Sequence, residues 1–279
     1  MRPMDNRRIG FAKAVLPLIL LSGPWSCTIK EDRAECPVYV TVLTDRFMQQ
    51  GMTEGMVSFA ADALIRRETI SFLSYVRGGY EQACPRKYAR AAVLAGVENS
   101  QVEDEILSVR KGCQAGPVWA FGTSFSAEQD EYVVDAVPHK QYCLVKFLFD
   151  GSPTAPDGYP WRFRLLAECA GMNIYTLEPV PGPYCPVVGP DAVGEWKCIL
   201  PRQRSNNMQL EVFRPDGDGG ADVPAEYVID LGKAFEQQGY DWTAEDLKDI
   251  EVKVGFVNAK LTVTVEEWER EDDYNHIDI

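Results

Sequence analysis

The residues with the widest chemical scope in this chain are its eight cysteines, at positions 27, 36, 84, 113, 143, 169, 185 and 198. None of them has the C-x-x-C spacing of zinc or thioredoxin-like sites, so we predict no metal site. In an exported protein this number favours disulfides. If Cys27 serves another purpose, seven cysteines remain and at least one stays unpaired. We expect a disulfide among Cys169, Cys185 and Cys198, and the spacing leaves its connectivity open.

Catalytic signals are weak. The two histidines are His139, between two predicted strands, and His276, in an acidic tail. A nucleophile and its base need partners within hydrogen-bond reach, and no part of the sequence nominates one. We interpret His139 as a structural turn residue, with a catalytic base or metal ligand as the alternative. Paired carboxylates of a glycosidase are recognised by their distance in space, so the many acidic residues nominate no pair. We expect no enzyme and no cofactor.

Two further patterns could bind ligands. Asp216, Asp218 and Asp222 offer the oxygen ligands that calcium prefers, but their spacing departs from the EF-hand loop, and an exposed hairpin loop is the better interpretation. Tryptophans in or next to predicted strands could form a sugar-binding platform, although such residues more often fill cores. They are at positions 119, 161, 196, 242 and 268.

The N-terminal 26 residues have the pattern of a signal peptide. A basic segment carrying Arg2, Arg7, Arg8 and Lys13 precedes the short apolar run 14–21, and small residues follow it. The run is shorter than the roughly 20 residues of a membrane-spanning helix. A buried N-terminal helix is the alternative, and export is favoured.

The charge of the exported chain excludes one class of partner. The full sequence has 28 basic and 42 acidic residues, and removal of residues 1–26 leaves 24 and 41, a net charge of −17. Nucleic-acid binding requires basic surfaces, so nucleic acid is not expected as a partner. Because the body is so acidic, contact with a membrane must come from a separate anchor.

The rest of the sequence predicts an all-β protein with little helix. Strand-length runs with period-two alternation recur between turns, most clearly at 142–150, where Cys143, Val145, Phe147 and Phe149 fall on one side. Other predicted strands are 38–43, 68–76, 88–97, 117–125, 131–137, 161–169, 172–180, 195–200, 208–215, 226–231 and a hairpin over 250–268. Residues 179–190 are a predicted proline-rich loop. A short helix is predicted at 232–239 and a helix start at Thr243.

The stretch 150–160 holds three prolines and two glycines, which indicates a linker or, alternatively, a long internal loop. With the linker, the chain divides into a signal peptide (1–26), a tether (27–36), an N-terminal β-sandwich (37–152) and a C-terminal β-sandwich (158–279). We therefore predict two tandem all-β modules.

Three stretches resemble a known family. They are "CTIKEDRAECP" (27–37), "VPHKQYCLVKFLF" (137–149) and "YVIDLGKAFEQQGYDWTAEDLKDIEVKVGFVNAKLTVTVEEW" (227–268). Together they resemble the mature start, a first-domain strand and the C-terminal signature of the FimB-type fimbrial anchor and assembly lipoproteins of Bacteroides-like bacteria, which belong to type V pili. The resemblance extends over essentially the whole mature chain. It implies two transthyretin-like β-sandwich domains in series.

The resemblance also implies roles for individual residues. Cys27 would carry the N-terminal lipid, palmitate included, and Lys30, Glu31 and Asp32 match a surface-export signal and tether. The implied function is a non-enzymatic lipoprotein of the outer membrane that anchors a fimbria (pilus) at the cell surface and influences its assembly and length. The implied partners are fimbrial shaft subunits, joined by strand complementation.

Other hypotheses remain open at this point. The chain could be an accessory or tip subunit of the fimbria. It could also be a surface lipoprotein in cell adhesion that binds a glycan or host ligand through the loop 179–190, Tyr184 or Trp196. An exported β-rich hydrolase is the third alternative.

Overall fold

A computed structural model of the chain describes residues 36–150, 162–191, 193–213, 223–257 and 260–268. The strands of the first part are β1 (Val38–Leu43), β2 (Glu54–Ala61), β3 (Leu64–Ser71), β4 (Tyr80–Cys84), β5 (Tyr88–Ala95), β6 (Ser100–Glu103), β7 (Ile106–Val109), β8 (Trp119–Ser126), β9 (Glu131–Asp135), β10 (His139–Lys140) and β11 (Tyr142–Asp150). Those of the second part are β12 (Arg162–Asn173), β13 (Pro179–Tyr184), β14 (Val187–Val188), β15 (Trp196–Pro201), β16 (Gln209–Phe213), β17 (Tyr227–Asp230), β18 (Asp249–Val257) and β19 (Lys260–Trp268). Two short helices, α1 (Asp45–Gln49) and α2 (Leu231–Gln237), accompany them. The predicted all-β fold with minor helix is confirmed.

The first sandwich packs a three-stranded sheet, in the order β4-β1-β9, against a five-stranded sheet, in the order β10-β8-β5-β2-β3. Strand β1 is central, and it runs antiparallel to β4 and parallel to β9. Its alternating valines, Val38, Val40 and Val42, point into the shared core. Strand β5 is rich in alanine and buried along most of its length, because both faces of its sheet are covered.

The second sandwich joins a four-stranded sheet (β15-β11-β18-β19) to a larger sheet in which β12 pairs with β16, β7, β13 and β14. Strand β11 shows the predicted alternation, since Cys143, Val145 and Phe147 are buried in its core; nothing is described of the Phe149 side chain. Burial of side chains at period two is the pattern expected of a strand with one face on a core. Helix α2 covers one side of the core through Phe235.

A third cluster of buried side chains joins segments from the two halves of the chain. Leu94 and Ala120 of the five-stranded sheet pack with Met172 and Ile174 at the end of β12. The Tyr175 hydroxyl lies 2.8 Å from the Ser58 hydroxyl in this buried contact. A side chain at Gly122 would place its Cβ 2.4 Å from the Tyr175 carbonyl oxygen, so only glycine permits this approach.

Strand pairings among the described residues cross the predicted boundary between the two modules, at 152–158. Strand β11, placed by that boundary in the N-terminal module, pairs with β15 and β18 and contributes to the second core. The hairpin β6–β7 extends the sheet of β12. An alternating pattern identifies a strand but not the sheet that it joins. The linker lies mostly in residues 151–161, outside the described residues, and the division into modules stays a prediction.

Among the predicted elements, α2 is confirmed. Asp230 is its N-cap, whose Oδ1 accepts a hydrogen bond from the Lys233 amide (3.0 Å), and Gly239 follows its C-terminal end at φ 67°. The predicted helix start at Thr243 is wrong. Asp241 Oδ1 instead accepts hydrogen bonds from the Thr243 amide (2.8 Å) and hydroxyl (2.6 Å), which closes a turn. Such local bonds compete with helix formation.

The prediction that residues 179–190 form a loop is also wrong, because they contain β13 and β14, both paired with β12. Prolines at 179, 181 and 183 alternate, so their missing N–H groups fall on one edge of the strand, where a ladder tolerates them. The predicted strand 172–180 is interrupted by a turn. Asn173 Oδ1 accepts from the amides of Tyr175 (2.9 Å) and Thr176 (3.1 Å) there.

Candidate functional site: the entry of the chain and the sheet edges

The predicted attachment residues Cys27, Lys30, Glu31 and Asp32 lie outside the described residues. The described chain starts at Cys36, which is exposed, and enters the fold directly as the central strand β1. Val38, two residues later, is already fully buried. The strand that follows is hydrogen-bonded to neighbours on both sides.

The Arg86 side chain holds the start of β1 in place. Its Nε donates to the Cys36 carbonyl oxygen (3.1 Å) and one terminal nitrogen donates to the Glu128 carbonyl oxygen (2.6 Å). The other terminal nitrogen pairs with the Asp130 carboxylate. The side chain is only 12% exposed, so its fork of donors is held in place.

A backbone bond completes the same corner, because the Tyr39 amide donates to the Asp130 carbonyl oxygen at 3.0 Å. Arg86 thus joins three segments: the start of β1, the connection from β4 to β5 and the turn before β9. In the sequence, Arg86 stands in "CPRK", which carries no signal that separates it from an ordinary surface arginine. Sequence reasoning missed it for that reason.

Some of the exposed apolar side chains lie on strands at the sheet edges. Strand β3 ends the five-stranded sheet and exposes Ile65 (56%), and β9 ends the three-stranded sheet and exposes Val133 (62%). Strand β17 ends its sheet and exposes Tyr227 and Val228. An edge strand can accept an added strand from another chain, and charges on the edge hinder it.

The charges on these edges differ. Strand β3 carries Arg66 and Glu68, which form an ion pair at 3.5 Å. Strand β9 carries Asp135, which accepts from Arg46 Nε at 2.9 Å. The sequence of strand β17 is Tyr-Val-Ile-Asp, and its one charged residue, Asp230, caps helix α2. Among these three edges, β17 has the weakest electrostatic protection.

The three cysteines in which a disulfide was predicted are free thiols in the structure. Cys169 lies on β12, where Gln203 bonds both its amide and its carbonyl at 2.9 Å. Cys198 lies on β15 in the other sheet, beside the Tyr184 hydroxyl (4.0 Å). Burial raises the pKa of Cys198 to about 12, so it is a neutral thiol at physiological pH. The predicted pair is not formed in this structure.

His139 joins two parts of the chain. Its Nε2 lies 3.2 Å from Glu245 Oε1, and its Nδ1 lies 3.8 Å from Asp246 Oδ1. The Lys140 amide donates to the same Asp246 oxygen at 2.6 Å. These contacts hold β10 against the segment that precedes β18. Within the described residues, no group of three or more His, Cys, Asp or Glu side chains is placed to hold a metal ion.

Arg202 supports the same junction. Its guanidinium donates to Gln141 Oε1 (2.8 Å) and to the carbonyl oxygens of Trp242 (2.6 Å) and Ala244 (2.7 Å). Burial lowers its pKa from the usual value. A buried arginine bonded to carbonyl oxygens fixes backbone segments, and its bonding capacity is largely used within the chain.

The aromatic residues named for glycan binding differ in their accessibility. Tyr184 is buried, accepts from the Ala115 amide (3.1 Å) and donates to the Ile199 carbonyl oxygen (2.5 Å). Trp196 packs edge-on against Phe163 at 5.4 Å between ring centroids. Trp242 stacks on Phe235. Tyr184 therefore cannot serve as an exposed binding residue, and the core interpretation holds for Trp242.

No protein-family model and no curated protein matches the chain. Solved structures do match it. A protein from Bacteroides ovatus named as a "putative adhesin" is 11% identical with a TM-score of 0.56, over 88% of this chain and 98% of its own. The fimbrial anchor protein Mfa2 from Porphyromonas gingivalis is 12% identical with a TM-score of 0.52, over 84% and 98%. The chain shares its fold with a fimbrial anchor protein.

A third structure, from Bacteroides thetaiotaomicron and named as "putative polysaccharide binding proteins", is 11% identical with a TM-score of 0.53, over 85% of this chain and 99% of its own. The resemblance drawn from the sequence is thereby confirmed at the level of the fold. In the described residues, no helix is long and apolar enough to cross a membrane.

Proposed function

We propose that this chain is a non-enzymatic lipoprotein of the outer membrane, exposed at the cell surface, that anchors a fimbria and influences its assembly and length. The observation that carries the proposal is the fold shared with a fimbrial anchor protein over 84% of the chain. The signal-peptide pattern and the charged stretch after Cys27 support it from the sequence.

The anchor follows from the charge of the body. A surface with a net charge of −17 is not attracted to anionic lipid, so covalent lipid on Cys27 supplies the membrane affinity. One acyl chain binds only marginally, and stable anchoring takes at least two signals. Residues 27–36 then act as the lipidated tether, and Lys30, Glu31 and Asp32 form the signal for surface exposure.

The decisive test substitutes Cys27→Ala in the producing cell, with Cys36→Ala as the matched control. Cys36 is also near the start of the mature chain and exposed, but it follows the charged residues of the tether. We expect Cys27→Ala to abolish palmitate labelling and to release the protein, together with assembled fimbriae, into the medium. Retention of the Cys27→Ala protein in the membrane with unchanged labelling would refute the anchor.

Strand complementation joins the anchor to the shaft in this proposal. A photoreactive amino acid placed at Ile65, Val133 or Val228 samples the three edges described above. We expect cross-links to a shaft subunit from one position and not from the others, and the low charge of β17 favours Val228. Absence of shaft cross-links from all three positions, with the fimbriae intact, would contradict contact through these edges.

An accessory or tip subunit is the rival within the same assembly. Immunogold labelling of the chain separates the two, because an anchor is found at the cell-proximal end of the fimbria and a tip subunit at the distal end.

A further inference from the structure

A cavity of about 600 Å³ opens at one end of the first sandwich. It lies between the residues that lead into β2, the segment after β5 and the start of β8. Its lining combines apolar side chains with acceptors, in particular Met52, Glu54, Thr69, Glu98, Trp119 and Tyr142. This volume lies within the range of small-ligand sites, roughly 300–1,000 Å³.

The wall of the cavity is built from closely packed backbone. Gly96 has φ 71°, and a Cβ there would lie 2.2 Å from the Pro117 carbonyl oxygen. A Cβ at Gly116 would lie 2.3 Å from the Gly96 carbonyl oxygen. The two segments therefore touch through glycines, as is typical where backbones must approach closely. A wall of this kind is set before a ligand arrives, which lowers the entropy cost of binding.

Two aromatic rings form a corner of this cavity. The centroids of Trp119 and Tyr142 are 6.4 Å apart and their planes are 78° apart. Both side chains are partly exposed. An aromatic face binds the C–H face of a sugar ring as it binds other apolar groups, while hydroxyls around that ring remain free for hydrogen bonds.

The charged groups of the lining select against anions. Glu54 and Glu98 are exposed carboxylates, and no lysine, arginine or histidine occurs among the described residues that line the cavity. Carboxylates accept short, strong hydrogen bonds from hydroxyl groups. The lining thus suits a ligand that donates hydrogen bonds and carries no negative charge.

A neutral ligand fits better than a cation. Lys140 Nζ already lies 4.7 Å from the centroid of the Tyr142 ring, and it pairs with Asp249 at 2.5 Å. The attraction that this ring offers to a positive charge is therefore partly used within the chain. We propose that this cavity binds a neutral oligosaccharide, with one sugar ring against Trp119 and Tyr142 and its hydroxyls on Glu54 and Glu98. This activity is separate from the anchoring function and does not depend on it.

The test is calorimetric titration of the purified full chain, in a detergent without a sugar headgroup, with neutral gluco-, manno- and galacto-oligosaccharides. Anionic oligogalacturonate and the polycation spermine serve as the charged probes. We expect millimolar or tighter binding of a neutral oligosaccharide and none of oligogalacturonate. Glu98→Gln should weaken this binding about tenfold, the value of one hydrogen bond to a charged group.

Two further variants test the roles of the aromatic ring and of the position of the charge. Trp119→Phe retains an aromatic ring in the partly buried position and should also weaken binding, while far-ultraviolet circular dichroism stays unchanged. Glu81→Gln changes the same charge on β4, outside the cavity, and should leave binding unaltered. The proposal is overturned if no neutral oligosaccharide binds, if spermine binds in preference, or if Glu98→Gln and Glu81→Gln behave alike.

Discussion

Replacement of Arg86 by alanine tests the reasoning about the entry of the chain. The substitution removes the bonds to the Cys36 and Glu128 carbonyl oxygens and the ion pair with Asp130. Strand β1 would then lose the fastening of its first residues, while its ladders to β4 and β9 remain.

The expected loss in free energy of unfolding is about 3 kcal/mol. Two hydrogen bonds from a charged donor contribute about 1.5 kcal/mol each, and the partner Asp130 is 59% exposed, so its ion pair adds at most about 0.5 kcal/mol. Water that reaches the two freed carbonyl oxygens reduces the loss. For a protein of this size, the loss lowers Tm by roughly 6–12 °C.

The measurement is urea denaturation of the mature chain, read by circular dichroism and by the fluorescence of its tryptophans. Arg86→Lys should fall between wild type and Arg86→Ala, because an ammonium keeps the charge but cannot reproduce the planar fork. Lys87→Ala is the matched control. It removes the neighbouring ion pair between Lys87 and Asp62, and because these side chains are 63% and 59% exposed, it should change the free energy of unfolding far less than Arg86→Ala does.

A second readout applies force. When the chain is pulled from its N-terminus in a single-molecule experiment, Arg86→Ala should lower the force at which β1 detaches. Equal stability and equal unfolding force for Arg86→Ala and Lys87→Ala would refute the assignment of Arg86 as the residue that holds the start of β1 in place.

Three further predictions concern the cores. Tyr175→Phe should lower the free energy of unfolding by about 1–2 kcal/mol, because it leaves the buried Ser58 hydroxyl without its 2.8 Å partner. In urea denaturation, adding Ser58→Ala should restore part of this loss, and strictly additive effects of the two substitutions would contradict the pairing. Gly232→Ala should destabilise by more than about 3 kcal/mol, since its Cβ would lie 1.5 Å from the Asn206 carbonyl oxygen, whereas Gly182→Ala, with contacts no nearer than 3.7 Å, should change the urea midpoint little. Burial raises the pKa of Cys143 and of Cys198 to about 12, so the folded state holds protons that the unfolded thiols release near pH 8.5. The stability that these thiols contribute should therefore be fully present below that pH and fall as pH rises from about 8.5 towards 12. A urea midpoint independent of pH in this window would refute this prediction.

The parts of the fold that could be predicted are those in which local pattern and burial agree. Strand β11 alternates because only one face of it meets a core, and α2 is bounded by an aspartate cap and a glycine. Strand β2 was missed because "EGMVSFAA" is buried on both faces and loses the alternation. The helix predicted from Thr243 fails because Asp241 binds that residue first.

The candidate sites were less predictable than the strands. Most hydrogen bonds of Arg86 and Arg202 go to carbonyl oxygens of residues 40 or more positions away in the sequence. A local sequence pattern cannot predict such distant partners. The cavity beside Trp119 depends on a meeting of Gly96 with Pro117, which only the fold produces. The attachment residues are the opposite case, because their roles are predicted from the sequence alone and stay predictions; they are Cys27, Lys30, Glu31 and Asp32.

The hairpin β6–β7 has a consequence for any attempt to divide the protein. It is contributed by the first half of the chain, yet it extends the sheet of β12, and Leu107 sits in the cluster that includes Leu94 and Met172. A fragment cut at residue 150 would carry this hairpin without its neighbour and expose Leu107 and Leu94 to water. Proteolytic cleavage between residues 151 and 161 should consequently leave the two pieces associated, because the buried contacts of β7 with β12 remain after the covalent link is lost.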